Sequence, residues 1–277
     1  MNGSALVSTQ QLASRLGEWR VFDCRHDLAD PALGERQYRE AHIPGAAFAH
    51  LDRDLSAPAT GANGRHPLPD PETFVTWLGR QGLRPTDPVV CYDAGNGAMA
   101  ARLWWMLRWV GHDAVAVLDG GFALWQREHR PVTAEVPRFA PAAYPLTVRF
   151  DAALAVNHLE KGLGKLLLVD ARAPERYRGE REPIDPVAGR IPGALNRFNA
   201  DNLTPEGTFK KKDVLEKEFR GLLGKRLPGE TVHYCGSGVA ACHNLLAMEV
   251  AGLSGGKLYA GSWSEWSADP ARPRERG

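Results

Sequence analysis

Cys235 is the residue of this sequence that is best placed to act as a nucleophile. It directly follows an apolar run at residues 231–234, and the chain continues as Gly-Ser-Gly-Val-Ala-Ala into a helical pattern. The glycines at 236 and 238 permit a tight turn whose N–H groups point inward, and the helix N-terminus adds its positive end there. A thiol held in this loop is expected to be partly thiolate at neutral pH, which is its nucleophilic form.

The other three cysteines are predicted to be core residues. Cys24 and Cys91 lie within or at the end of apolar runs, and Cys242 lies further along the helical pattern that follows Cys235. Buried free cysteine usually behaves as a small hydrophobic residue. The sequence has no C-x-x-C pair and no His/Cys/Asp cluster with ligand spacing, so neither a disulfide framework nor a metal site is predicted.

Strands and helices are predicted to alternate along the chain. Continuous apolar runs are typical of buried parallel strands and occur at residues 89–92, 115–118, 166–169 and 231–234. Helical patterns that end at a glycine occur at residues 98–110 and 239–251, and Ser8-x-x-Gln11 predicts a capping box. This alternation predicts an α/β fold of parallel sheets flanked by helices, in which ligands bind at the carboxyl ends of strands.

The sequence also contains an internal repeat. Four blocks recur in the same order, about 140 to 150 residues apart, as expected for duplicated domains. The pairs are V-F-D-C-R at 21–25 with L-V-D-A-R at 168–172, H-I-P-G-A at 42–46 with R-I-P-G-A at 190–194, V-V-C-Y-D at 89–93 with T-V-H-Y-C at 231–235, and D-G-G at 119–121 with A-G-S at 260–262.

We therefore predict two homologous domains, residues 1–143 and 144–277. The stretch 130–145 carries four prolines and is expected to be a stiff, extended connector. The first copy has Asp93 where the second has Cys235. Because a carboxylate is a poor soft nucleophile, the first copy is predicted to be catalytically degenerate.

Composition limits the other possibilities. The chain has 277 residues, with 34 Lys+Arg against 33 Asp+Glu and a net charge of +1, so neither nucleic acid nor an anionic membrane is an expected partner. No apolar run is long enough to span a bilayer, and the N-terminus lacks the features of a secretory signal. With its unpaired cysteines, the chain is predicted to be cytoplasmic.

Taken together, the motifs resemble the tandem-domain rhodanese-like sulfurtransferases over essentially the whole chain. The resemblance rests on both aspartate-containing strands, both I-P-G-A segments, L-D-G-G at 118–121, the loop at Cys235 and G-S-W-S-E-W at 261–266. A loop reading C-G-S-G-V is similar to that of the 3-mercaptopyruvate branch, whereas the thiosulfate branch typically has basic residues after the cysteine. The resemblance implies that a Cys235 persulfide carries sulfur from 3-mercaptopyruvate to a small thiol, cyanide or a thioredoxin-like protein, that pyruvate is released, and that no cofactor is needed.

The resemblance also implies roles for residues around Cys235. Arg176 would bind the donor carboxylate, and a guanidinium suits that group. Ser237, His66 and Asp52 would form a group that handles the protons of the reaction. The persulfide would lie against the loop and the start of the following helix, at Gly236, Gly238, Val239 and Ala240.

Three positions depart from the family pattern. Ala240 replaces a usual threonine, and Arg190 replaces the histidine that usually precedes the second I-P-G segment. Residues 180–185 lack the second arginine that would align there with the animal enzymes; Arg181 is the candidate substitute in that stretch, and its spacing does not establish the role. These departures bear on donor preference more than on the type of reaction.

Three other functions are alternatives to this prediction. The first is a thiosulfate sulfurtransferase that releases sulfite, and the second is a non-catalytic sulfur-binding module. A Cys-x5-Arg phosphatase is the third, but it needs an arginine six residues after the cysteine, where this chain has Ala241.

Overall fold

The computed structural model describes residues 4–277, which form two compact α/β units. Unit 1 contains the chain up to Ser56 together with Pro69–Arg149 and Pro205–Phe209. Unit 2 contains Ala57–Leu68, Phe150–Thr204 and Lys210–Gly277. Two short segments thus belong by their contacts to the unit formed mainly by the other half of the chain. The division at residues 143 and 144 remains a proposal about domain organisation.

Unit 1 is built on a five-stranded parallel sheet with the strand order β1-β5-β4-β2-β3. Its strands are β1 (Leu6–Val7), β2 (Arg20–Asp23), β3 (Ala46–Phe48), β4 (Val89–Tyr92) and β5 (Val115–Leu118). Its helices are α1 (Thr9–Ala13), α2 (Leu33–Glu40), α3 (Leu51–Asp54), α4 (Pro71–Arg80), α5 (Ala98–Trp109) and α6 (Gly121–Arg127). The predicted strands at 89–92 and 115–118 and the capping box at Ser8 are confirmed.

Unit 2 has a four-stranded parallel sheet with the order β7-β6-β8-β9. Its strands are β6 (Leu167–Asp170), β7 (Leu195–Asn196), β8 (Thr231–Tyr234) and β9 (Lys257–Leu258). Its α-helices are α7 (Val156–Gly162), α8 (Pro174–Tyr177), α9 (Lys212–Leu223), α10 (Ala240–Val250) and α11 (Ser262–Trp266), and two short 3-10 helices cover Asn199–Asn202 and Pro228–Glu230. A parallel bridge between Ala153 and Leu258 extends this sheet beyond β9. In unit 1, β1 pairs with β5 at the corresponding edge, so both units share one architecture. The predicted α/β fold is confirmed.

Each unit contains the same buried ion pair after its central strand. In unit 2, Arg172 Nη2 lies 2.7 Å from Asp170 Oδ2, and both side chains are almost completely buried. Burial opposes the charge on Arg172, but Asp170 outweighs it and raises the pKa of the guanidinium. In unit 1, Arg25 Nη2 lies 2.6 Å from Asp23 Oδ2 in the same arrangement. The repeated aspartate and arginine in the sequence therefore form a structural pair that fixes the chain as it leaves the strand.

A buried histidine in β8 is expected to make unit 2 sensitive to acid. Neither ring nitrogen of His233 has a hydrogen-bond partner within residues 4–277, and burial lowers its pKa to about 3. The unfolded chain binds a proton at this histidine near pH 6.5, so between about pH 6.5 and pH 3 it binds more protons than the folded chain. Stability should therefore fall as the pH drops through this window.

The His233→Leu variant tests this prediction. On going from about pH 7 to about pH 5, the wild type should lose about 2 kcal/mol more of unfolding free energy than the variant, as measured by urea denaturation. The matching position in unit 1 is Cys91, which is fully buried, so an apolar side chain is compatible with this place in the sheet. Parallel pH profiles for the two proteins would show the prediction to be wrong.

Candidate active site

Cys235 lies at the carboxyl end of β8, between this central strand and α10. Its side chain is 3% exposed, and its N–H donates to Ser262 Oγ over 3.1 Å. The carbonyl oxygens of Cys235 and Gly236 accept N–H groups from Trp263 and Ser264, each over 3.0 Å. The start of α11 thus fixes the backbone on both sides of the thiol.

The Cys235 loop (residues 235–239) turns sharply before α10 begins. Gly238 has a φ of +78°, and a side chain there would collide with the carbonyl oxygen of Ala260, so glycine is needed at this position. The Gly238 N–H donates to Cys235 Sγ over 3.2 Å. The loop therefore directs at least one main-chain donor at the sulfur, as expected for a site that stabilises an anionic sulfur.

The corresponding loop of unit 1 shows how this type of turn holds an anion. Four N–H groups donate to the Asp93 carboxylate over 2.9–3.2 Å, from Gly95, Gly97, Met99 and Ala100. Burial raises the pKa of Asp93, although these N–H groups act in the opposite direction. A turn between a parallel strand and a helix thus presents several main-chain N–H donors to one anion. In unit 1 these donors bind the Asp93 side chain.

His66 and Ser237 are hydrogen-bonded within unit 2. His66 Nδ1 lies 2.7 Å from Ser237 Oγ, and the two side chains are 7% and 5% exposed. His66 lies in the segment Ala57–Leu68, which packs with unit 2 although most of its sequence neighbours belong to unit 1. The structure therefore brings together three of the predicted catalytic residues, Cys235, Ser237 and His66.

Asp52, the fourth predicted catalytic residue, lies in the first turn of α3 in unit 1. Its N–H donates to His50 Nδ1 over 3.1 Å. His26, His50 and Asp52 also form the one group of potential metal ligands that lie within 4.8 Å of one another in the described part of the chain. His50 Nδ1 is used as an acceptor by the N–H groups that begin α3, so this ring already serves as the helix cap.

Arg176 lies in the last turn of α8, beside the Cys235 loop. A side-chain carbon built on Gly236 would lie 3.3 Å from Arg176 Nη2 and 3.6 Å from Nη1. The guanidinium is paired with Glu182 at 2.7 Å and with Asp185 at 3.3 Å. Burial alone would raise the pKa of Glu182, but hydrogen bonds from Arg176 and the Asp185 N–H hold it below its usual value. The predicted carboxylate-binding residue is thus firmly positioned next to the residue that follows the cysteine.

The other predicted binding residues lie where the loop meets the helix. Gly236, Gly238 and Val239 are buried in the loop, and Ala240 is the first residue of α10. Arg181 is exposed, whereas a different arginine, Arg65, reaches Gly236. No local sequence pattern points to Arg65, apart from its position next to His66.

Fold and site together define a two-unit α/β protein with a buried thiol, Cys235, between the carboxyl end of β8 and the helix that follows it. The model of the rhodanese-like domain matches residues 8–128 and 151–269. The chain belongs to this family, which confirms the resemblance inferred from its motifs.

Relatives and solved structures agree over nearly the full chain. A Pseudomonas aeruginosa protein named "probable 3-mercaptopyruvate sulfurtransferase" is 49% identical over 100% of both chains. A thiosulfate sulfurtransferase from Mus musculus is 34% identical over 95% of this chain and 91% of its own. The 3-mercaptopyruvate sulfurtransferase structure from Leishmania major has a TM-score of 0.86 and 29% identity, covering 96% of this chain and 75% of that one. Among residues 4–277, no helix has the length and apolarity that a membrane crossing requires.

Proposed function

We propose that this protein is a sulfurtransferase that moves a sulfane sulfur from 3-mercaptopyruvate through a Cys235 persulfide to a thiol or cyanide acceptor. The observation that carries the proposal is the 2.7 Å contact between His66 and Ser237, which lies two residues from the cysteine in the same loop. A proton-handling pair next to a thiol fits a donor whose cleavage requires a proton transfer. The relatives named for this donor support the same substrate.

The first half-reaction forms the persulfide. The Cys235 thiolate attacks the sulfur of 3-mercaptopyruvate and forms an S–S bond, while the C–S bond breaks and its electron pair passes to the carbon. The resulting enolate takes a proton and becomes pyruvate, and the donor's thiol supplies the proton that balances this step. Arg176 binds the donor carboxylate and thereby orients the sulfur toward Cys235.

Ser237 and His66 are assigned to the transfer of this proton. The Ser237 hydroxyl can accept the thiol proton and donate one to the enolate, and His66 Nδ1 is within hydrogen-bond distance of the hydroxyl. We also include Asp52 as a proposed member of this group. Its role would be to orient His66 and stabilise its charged form.

Main-chain donors stabilise the terminal sulfur of the persulfide in this proposal. The four N–H groups that donate to Asp93 in unit 1 indicate how this would work. The Cys235 loop of unit 2 also lies between a buried parallel strand and a helix, so its N–H groups can bind an anion in the same way. Gly236, Gly238, Val239 and Ala240 provide the corresponding backbone around Cys235. The C-terminal domain is thus the catalytic one, and the N-terminal domain with Asp93 is catalytically degenerate.

The second half-reaction returns the enzyme to its thiolate form. A nucleophile attacks the terminal sulfur, the S–S bond breaks, and its electron pair leaves with Cys235. Cyanide would leave as thiocyanate, and a small thiol or a thioredoxin-like protein would leave as a persulfide. We place the reaction in the cytoplasm, since the four cysteines are unpaired and a reduced Cys235 is required.

The Ser237→Ala variant tests the proposed donor. Cleavage of 3-mercaptopyruvate needs a proton transfer, whereas cleavage of thiosulfate needs none. The wild type should prefer 3-mercaptopyruvate, and the variant should lose about 100-fold of kcat/KM with this donor but less than about threefold with thiosulfate. Sulfur transfer to cyanide provides the measurement for both donors.

Ser254→Ala is the matched control, because Ser254 is exposed and lies outside the loop. It should leave the kinetics of both donors unchanged. A wild-type preference for thiosulfate, or an equal loss with both donors in Ser237→Ala, would contradict the proposed donor.

A further inference from the structure

Residues 273–277 form a strap along unit 2, called here the 273–277 strap. Glu275 lies antiparallel to Arg190, and the two residues exchange main-chain hydrogen bonds over 2.9 and 3.0 Å. Trp266 Nε1 donates to the Pro273 carbonyl oxygen over 2.9 Å, which attaches the strap to α11. The strap is therefore fixed at its start and at its centre.

Unit 1 contains a strap of the same kind at residues 131–135. His42 and Thr133 exchange the equivalent main-chain hydrogen bonds over 2.8 and 2.9 Å, and the His42 ring stacks on Tyr38 at 4.0 Å. His42 precedes the first I-P-G segment as Arg190 precedes the second. The two units thus share the strap but differ in the side chain at this position.

The guanidinium of Arg190 connects the 273–277 strap to Tyr177, the residue after Arg176. Its central carbon lies 4.6 Å from the centre of the Tyr177 ring, within the range of a cation–π contact. Its Nη1 donates to the main-chain oxygen of Gly277 over 2.5 Å, and its Nη2 lies 3.5 Å from Glu275 Oε2. One largely buried cation thus links the strap to α8.

The helix α8, which carries Arg176, is too short to be stable by itself. It has four residues, none of them buried, and no side chain caps its N-terminus. The Tyr177 hydroxyl donates to the Ala194 carbonyl oxygen over 2.6 Å. The Gly277 N–H donates over 2.9 Å to the carbonyl oxygen of Arg178, the C-cap residue. Contacts with the rest of unit 2 therefore hold α8, and the strap provides one of them.

The strap also closes the loop at residues 179–189, which contains both carboxylates that pair with Arg176. A side-chain carbon built on Gly179 would lie 3.1 Å from the Cα of Gly189, so the two ends of the loop touch. A side-chain carbon on Gly189 would lie 2.6 Å from the Glu275 carbonyl oxygen. The strap therefore packs directly on the base of this loop.

We propose that Arg190 and the 273–277 strap position Arg176 for binding of the sulfur donor. Arg190 is then a positioning residue, which acts through Tyr177 and the strap rather than on the donor itself. This inference rests on the proposed function, since it takes Arg176 as the residue that binds the donor carboxylate. A guanidinium binds a carboxylate through two parallel hydrogen bonds, so a displaced Arg176 would bind and orient the donor less well.

The Arg190→Gln variant tests this assignment through the two half-reactions, each of which has its own kcat/KM. We expect kcat/KM for 3-mercaptopyruvate to fall about tenfold. For cyanide it should change less than about twofold, because cyanide has no carboxylate for Arg176. Arg190→Lys keeps the positive charge and should recover most of the loss. An unchanged value for 3-mercaptopyruvate, or an equal loss with cyanide, would overturn the proposal.

Deletion of residues 275–277 tests the strap, and it should cause the same selective loss. Combined with Arg190→Gln, it should add less than about threefold to the larger single loss, because the two changes act on one contact network. Losses that multiply would show that Arg190 and the strap act separately, which contradicts the proposal.

His42→Gln is the matched control, because His42 has the same place beside the strap of unit 1. It should lower the free energy of unfolding but leave both kcat/KM values of the folded protein unchanged. If it reduces kcat/KM for 3-mercaptopyruvate as much as Arg190→Gln does, the effect is a general loss of stability and the proposal is wrong.

Hydrogen exchange measures the positioning without any donor. In Arg190→Gln, the amides of residues 175–181 should exchange about tenfold faster, whereas those of β8 should keep their rates. Unchanged exchange at residues 175–181 would overturn the proposal whatever the donor is. Failure of the wild type to transfer sulfur from 3-mercaptopyruvate would instead refute the proposed function.

Discussion

Cys235→Ser is expected to reduce sulfur transfer from either donor by about 10³-fold or more. A serine hydroxyl remains protonated at neutral pH and cannot form a persulfide, so both half-reactions lose their carrier. The serine oxygen can still accept the Gly238 N–H that now donates to Cys235 Sγ over 3.2 Å, and we therefore expect the fold to be preserved. Steady-state transfer to cyanide measures the loss.

Cys91→Ala provides the comparison for this experiment. Cys91 is fully buried in β4 of unit 1, far along the sequence from the proposed site. This variant should keep its donor kinetics and its sulfane sulfur after donor treatment, whereas Cys235→Ser should hold none. Persistent transfer by Cys235→Ser would rule out the persulfide mechanism.

Arg172→Met is expected to destabilise unit 2 by about 3–5 kcal/mol. The substitution leaves Asp170, which has no exposed surface, without its ion partner, and an unpaired buried charge is strongly unfavourable. It also removes a 3.2 Å contact to Glu182, the carboxylate that positions Arg176. The free energy of unfolding by urea measures the first effect, and KM for 3-mercaptopyruvate measures the second.

Arg25→Met in unit 1 separates these two effects. Arg25 pairs with the buried Asp23 as Arg172 pairs with Asp170, so the loss of stability should be similar. Its side-chain hydrogen bonds go to Asp23 and to the carbonyl oxygen of Ala41, whereas the carboxylates that position Arg176 are Glu182 and Asp185, so KM should remain unchanged in the folded protein. A loss below about 1 kcal/mol in both variants would show that these ion pairs are not needed for stability.

The site could be predicted from the sequence where local patterns determine it. The strand at 231–234, the turn after it and the following helix are encoded in consecutive residues, so the position of Cys235 follows from apolarity and two glycines. The predicted helix at 239–251 and strand at 166–169 each agree within one residue with α10 and β6. Parallel strands buried on both faces produce these clear apolar runs.

Other parts of the site depend on tertiary packing that no local pattern records. Arg65 and His66 reach the Cys235 loop because the segment Ala57–Leu68 packs with unit 2, and its proline-rich sequence has no periodicity that would indicate this. The short strands β1, β7 and β9 have only two residues each and are defined by pairing with longer neighbours. The sequence therefore indicates Arg181, in the same segment as Arg176, as the second guanidinium near the loop, whereas in the structure Arg65 lies beside Gly236.

The Asp93 carboxylate in unit 1 affects how many sulfur atoms one molecule can carry. Four backbone donors of that turn already bind a negative charge that belongs to the chain itself. Another anion could bind to these donors only by displacing the Asp93 carboxylate. Because this carboxylate is part of the chain, it is always present at the turn. If Cys235 carries the sulfur as proposed, duplication of the fold does not double its capacity, and we expect one transferable sulfur atom for each polypeptide.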